Sequence, residues 1–292
     1  MVRLTQRIAT TFAAAAYFVL LSAATVHPQR LAIITPENSP QSLRFANTLG
    51  DKLGVYSKLI DAAMAEAAYR SGVPENPFNQ TRDEAKRIGA TVGCDFFILL
   101  RTMALRRSSS TRPHYYEATA FVYLISSRTG RLVDWKLYRF EADSATAAQT
   151  ELFASAGLLA AEIAAKASVA MKSEIDDPRP RDLEEMPVEG SPAAKNFRPP
   201  VPYLRIKPEY TDTAYLYDVA GTVEIEVDID DHGRLTRTDV VRWAGFGLDE
   251  SAVRTVHAMT WRPAERNGKA LPMRVLLRYN FRKVEKTGSS QQ

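Results

Sequence analysis

From Gly221 the chain alternates strictly. Val223, Ile225, Val227 and Ile229 are apolar, and Glu224, Glu226, Asp228 and Asp230 between them are acidic. A period of two predicts a strand with one face on a core and the acids facing water. Asp231-His232-Gly233 turns it into a second strand. Gly245-Phe246-Gly247-Leu248-Asp249 then opens a helix over Asp249–Met259, followed by Trp261-Arg262-Pro263-Ala264. A closing strand spans Met273–Phe281, with Val275, Leu277, Tyr279 and Phe281 alternating with Arg274, Leu276, Arg278 and Asn280. The helix covers one sheet face, and Trp261 caps that packing.

Upstream, Leu31–Ile34 reads as a short apolar strand. Phe45, Ala46, Leu49 and Leu53 make a helical stripe within Ser42–Leu53, and Val55–Ile60 could form a strand. Asp61–Arg70 is Ala-rich and helical until Gly72-Val73-Pro74. Thr81 with Glu84 three residues on is a capping-box pattern for a helix reaching Val92. Strands follow at Phe96–Met103, Tyr115–Ser126 and Leu132–Phe140, with a turn at Ser127-Arg128-Thr129-Gly130. Asp143 or Ser144 starts a long helix to Lys172, its buried stripe formed by Leu152, Ala156, Leu159, Ile163 and Ala167.

The fold class expected is α+β: two small α/β-sandwich modules, residues 30–172 and 201–284, joined by a Pro-rich linker at 173–200 of extended, semi-stiff type. The tail 285–292 is polar and is expected to be disordered. Residues 1–24 carry Arg3 and Arg7 ahead of a charge-free run Ile8–Ala24 ending in small residues. They read as an export signal, or as a retained inner-membrane anchor.

A net charge of +4 does not call for a nucleic-acid partner. The single Cys94 excludes an internal disulfide and sits at the mouth of an apolar strand, where it reads as a small buried residue. Asp228, Asp230, Asp231 and Gly233 echo a calcium loop, but His232 and Asp239 are poor ligands at the remaining positions, so a hairpin is expected. Gly245-x-Gly247 lacks the third glycine of a dinucleotide fingerprint, Glu250 standing there instead. His27, His114, His232 and His257 have no metal-ligand spacing, and no catalytic set, metal or cofactor is assigned. Arg106, Arg107 and Arg112 flank Ser108–Thr111, either a solvated hairpin tip or a basic loop for an anionic partner.

The order Pro202-Tyr203, Lys207-Pro208-Glu209-Tyr210, Gly221-Thr222-Val223, Asp231-His232-Gly233, Gly247-Leu248-Asp249, Trp261-Arg262-Pro263-Ala264 and Asn267-Gly268-Lys269 resembles the C-terminal domain of TonB, the energy transducer of Gram-negative envelopes. The resemblance implies a non-enzymatic, periplasmic protein-binding module in TonB-type transmembrane transport. Met273, Arg274, Val275, Leu276, Leu277, Arg278, Tyr279, Asn280 and Phe281 would form an edge strand that pairs with an extended segment of an outer-membrane receptor or envelope complex, or with a second copy in a homodimer. The apolar segment lacks the intramembrane His that coupling to a proton-driven motor would need. Ile88-Gly89, Gly93-Cys94-Asp95 and Arg128-Thr129-Gly130 make the first module similar to the TolB N-terminal domain and to the activators of penicillin-binding proteins. That likeness implies instead a regulator or scaffold of cell-wall synthesis.

Overall fold

The structure, a computed structural model, describes residues 29–72, 74–175 and 183–283. The expected signal or anchor at 1–24, residues 176–182 of the linker and the tail at 285–292 lie outside the described residues.

The first module opens with β1 (Arg30–Ile34), α1 (Pro40–Leu53), β2 (Lys58–Leu59), α2 (Ala62–Arg70) and α3 (Arg82–Val92). The meander β3 (Phe96–Arg107), β4 (Tyr115–Ser126) and β5 (Leu132–Ala142) follows, then α4 (Ala145–Ala154) and α5 (Ala156–Ile175). The capping box forms as expected: the Thr81 side chain accepts from the Glu84 N–H, and the Glu84 carboxylate accepts from the Thr81 N–H at 2.7 Å. Only Lys58–Leu59 of the expected Val55–Ile60 strand pairs. Ser144 caps the long helix, which breaks at Ser155. Leu152, Ala156, Leu159, Ile163 and Ala167 are all buried, as their spacing predicts.

The five strands run in the order β2-β1-β3-β4-β5. One face packs on α1, α4 and α5 through Phe45, Leu49, Ile98, Val122, Leu152 and Leu159. The opposite face presents Phe97, Leu99, Phe121, Tyr123 and Ile125. Burial on both faces explains why Phe96–Leu100 is continuously apolar.

The second module holds β6 (Phe197–Arg198), β7 (Val201–Pro202), α6 (Asp212–Leu216), β8 (Gly221–Ile229), β9 (Leu235–Arg242) and α7 (Leu248–His257). It ends with β10 (Trp261–Arg262), β11 (Ala264–Arg266), β12 (Lys269–Leu271) and β13 (Met273–Phe281). Its main sheet has the order β13-β8-β9, antiparallel throughout. Val223, Ile225, Val227 and Ile229 are buried with Leu248, Ala252, Val256 and Trp261, the expected sheet-on-helix layer. The end of the linker is stitched into this module, because β6 pairs with β11 and β7 with β10.

The modules share one hydrophobic core. Trp243, Ala244 and Phe246 join Phe121, Tyr123 and Ile125 in the same cluster. Phe246 lies 4.7 Å centroid-to-centroid from Trp135 and 5.5 Å from Phe121. Residues 245 to 247 all have positive φ. A Cβ on Gly245 would come within 2.8 Å of Trp135 and 2.9 Å of Tyr123, so only glycine lets the loop approach this closely. The Gly-x-Gly pair therefore shapes an inter-module plug.

Polar contacts fix the same interface. The Asn79 amide donates to the carbonyls of Thr222 and Trp243 at 2.8 and 2.7 Å, and its oxygen accepts from the Thr222 N–H at 2.9 Å. Asp239 receives Arg82 from the first module, Arg131 at 3.2 Å and Arg237 at 3.2 Å. Burial opposes ionisation of Asp239, but these guanidiniums hold its carboxyl below the ordinary value.

Candidate functional site

The closing strand β13 lies at one end of its sheet and pairs along its whole length with β8, and among the described residues its other side meets a single backbone bridge, from Glu184 to Met273. The pairing sets Val275 opposite Val227, Leu277 opposite Ile225 and Tyr279 opposite Val223. Opposed residues share a face, so these side chains, with Met273 and Phe281, lie on the apolar side. Arg274, Leu276, Arg278 and Asn280 share the other side with Asp228, Glu226, Glu224 and Thr222.

That second side departs from expectation. Glu224 and Asp228 are only 6% and 3% exposed, where the alternation predicts that they face water. Arg274 grips both Asp228 oxygens at 2.7 and 2.9 Å. Arg278 and Arg242 reach Glu224 at 2.6 and 3.3 Å. The acids make a cross-strand ladder of ion pairs whose guanidiniums cover them, and the ladder lines a cleft of about 540 Å³ between this face and the first module. The first module supplies Arg82, Lys86, Arg128 and Glu174 to its wall. A period of two cannot register these partners, because the arginines come from other strands and the cleft's far wall lies fifty or more positions upstream.

The orientation of the free backbone follows from one contact. The Arg274 N–H donates to the Glu184 carbonyl at 2.9 Å, on the side away from β8. The N–H and C=O of one strand residue point the same way, and successive residues alternate. Leu276, Arg278 and Asn280 therefore also aim their backbone groups outward. None of these three outward donors meets a backbone acceptor among the described residues.

The outer rim carries an apolar groove of about 520 Å³. Pro202, Ile206, Met259, Trp261, Leu277 and Tyr279 line it, with Arg205, Lys207 and Arg278 among the lining residues and no acid. Tyr203 and Leu204 beside it are 72% and 69% exposed, and Leu276 is 53% exposed. Burial raises the Tyr279 phenol, so it stays a neutral hydroxyl. The Trp261 indole N–H is buried without an acceptor among the described residues. The sequence reading found the strand. It missed the Pro202–Lys207 wall, whose exposed Tyr203, Leu204 and Ile206 were the available signal.

The opposite edge of the sheet, β9, is engaged by the first module. Thr81 bridges Arg242, the Trp243 N–H donates to the Gln80 carbonyl at 3.2 Å, and the Asp239 cluster lies on the same strand.

The other sequence candidates resolve into structural roles. Both Asp228 oxygens belong to Arg274, and Asp230 accepts from the backbone N–H groups of His232 and Arg234 in a turn. The acids of the calcium-like pattern thus do not converge. Of the basic loop, Arg107 pairs with Glu117 at 3.2 Å, and Arg112 with Glu141 and Asp143 at 3.2 and 3.3 Å. Cys94 is 5% exposed, and burial pushes its thiol up. His114, His232 and His257 are exposed, and His27 lies outside the described residues.

Residues 206–282 match the family described as the Gram-negative bacterial TonB protein C-terminal. Among solved structures, the solution NMR structure of the Pseudomonas aeruginosa TonB CTD is 17% identical, covering 36% of this chain and 98% of its own, with a TM-score of 0.27. The lipoprotein GNA1162 from Neisseria meningitidis is 13% identical over 51% of this chain and 100% of its own, with a TM-score of 0.31. The LpoB C-terminal domain from Salmonella enterica is 16% identical over 41% of this chain and 87% of its own, with a TM-score of 0.25. Comparison with curated proteins finds no match.

Proposed function

We propose, from the TonB C-terminal match over residues 206–282, that this is a non-enzymatic envelope protein that captures a protein partner by strand addition to β13. The observation carrying the reading is the outward-facing backbone of Leu276, Arg278 and Asn280 beside an apolar groove. Backbone pairing supplies affinity, at a net of about 1 kcal/mol per hydrogen bond. The groove supplies selectivity for alternate side chains. The first module acts as a rigid mount, holding the sheet by its β9 edge so that β13 is presented. The site of action is the periplasm, and the partner is an outer-membrane receptor or an envelope complex in TonB-type transport.

A photo-reactive amino acid at Tyr279, activated in intact envelopes, tests this. The expected result is a discrete adduct with a receptor or motor component. An adduct with a cell-wall synthase would transfer the protein to the wall-regulator role that the first module's sequence suggests. Absence of any adduct at Tyr279 and at Leu276 would refute capture at this edge.

A further inference from the structure

We propose that the chain's own linker is the resident occupant of the β13 edge, a tethered strand that a partner segment must displace. The consequence for capture rests on the strand-addition reading above, whereas the linker contact itself rests on separate geometry.

Glu184 forms an isolated parallel bridge with Met273. Its carbonyl takes the first outward donor of the edge, the Arg274 N–H, at 2.9 Å. Its carboxylate accepts from Arg266 at 2.8 Å, which ties the side chain down beside the bridge. Two residues on, Met186 lines the apolar groove together with Val275 and Leu277. Backbone and side chains thus agree on one register.

The structure forms the first rung of that register and leaves Val188 78% exposed, and alternation defines how the pairing would continue. In a parallel pair starting at Glu184 and Met273, Met186 comes opposite Val275 and Val188 opposite Leu277. The residues turning N–H and C=O toward β13 are then Glu184, Met186 and Val188. Pro187 faces away, where its missing N–H costs nothing to the ladder. A proline on the outer side also blunts the new edge against further addition. Glu184-Glu185-Met186-Pro187-Val188 therefore reads as a short edge strand that suits this site, with one rung formed in the structure.

Tethering makes this weak contact effective. The linker re-enters the fold at β6, about ten residues further on, so the segment competes at an effective concentration on the order of millimolar. A backbone hydrogen bond with a half-exposed ion pair together reduce capture of an external strand by about tenfold.

Amide hydrogen exchange on the full chain, read residue by residue, tests the contact in the wild type and in a Glu184→Lys, Met186→Asp double variant. The Arg274 amide should exchange about tenfold faster in the variant, while Val275, Leu277 and Tyr279, bonded to β8, keep their rates and certify the fold. An Arg274 amide that exchanges equally fast in both forms overturns the proposal. Photo-crosslinking from Tyr279 in the same two forms separates this result from the reading it builds on. A faster Arg274 amide with no adduct in either form keeps the linker contact and removes strand addition. Adducts of equal yield with an unchanged Arg274 amide keep strand addition and remove the linker as competitor.

Discussion

Asp249 shows how much the interface asks of one side chain. It is 8% exposed, and its oxygens accept from the backbone N–H groups of Ala244 and Gly245 at 2.9 and 2.7 Å, which shapes the plug loop. Burial pushes its carboxyl up to about 7, against the two N–H donors that favour the charge. The folded state therefore holds a proton that the unfolded chain releases near pH 4, and stability falls as pH rises from about 4 to 7. The contribution of this group across that window is on the order of 4 kcal/mol. Denaturant unfolding between pH 4 and 7.5 should show this decline, and Asp249→Asn should flatten it. Gly245→Ala acts on the same loop by sterics, because its Cβ would meet Trp135 and Tyr123 at a backbone φ of +74°. It should destabilise the chain by about 3 kcal/mol in the same assay.

The elements divide by how local their cause is. The Thr81 cap, the stripe of Leu152, Leu159 and Ile163 on the long helical stretch after Ser144, and the alternation of β8 were legible because each is settled by neighbours in sequence. The pairing partners of Glu224 and Asp228 were not, since the arginines and the covering wall come from other strands and from the first module. The edge position of β13 was legible only through family resemblance, because alternation does not say which strand ends a sheet. Its parity yields a sharp contrast. Leu276→Pro deletes an outward N–H and should leave thermal stability within about 1 kcal/mol while weakening partner capture about tenfold. Val275→Pro deletes a donor turned toward β8 and should destabilise the chain by about 3 kcal/mol or more. Thermal unfolding read beside crosslinking yield distinguishes the two.

For the whole molecule, the decisive feature is the continuity of the core across the module boundary. The sequence predicts two sandwiches on a semi-stiff spacer, a reading in which the modules could unfold separately. Trp243 and Phe246 instead complete the cover over the second face of the first sheet, and Asn79 and the Asp239 cluster close the seam. Tryptophan fluorescence and far-UV circular dichroism should therefore trace one coincident denaturation transition. Two separated transitions would show that the modules are independent. A fused body also gives the sheet two unlike edges, with β9 held against the first module and β13 turned outward. Photo-reactive residues placed in turn at Leu276, Arg278 and Tyr279 on β13, and at Thr236 and Thr238 on β9, read both edges in intact envelopes. Partner adducts confined to the β13 positions are expected. Adducts at β9, or none at any β13 position, would contradict capture by the closing strand.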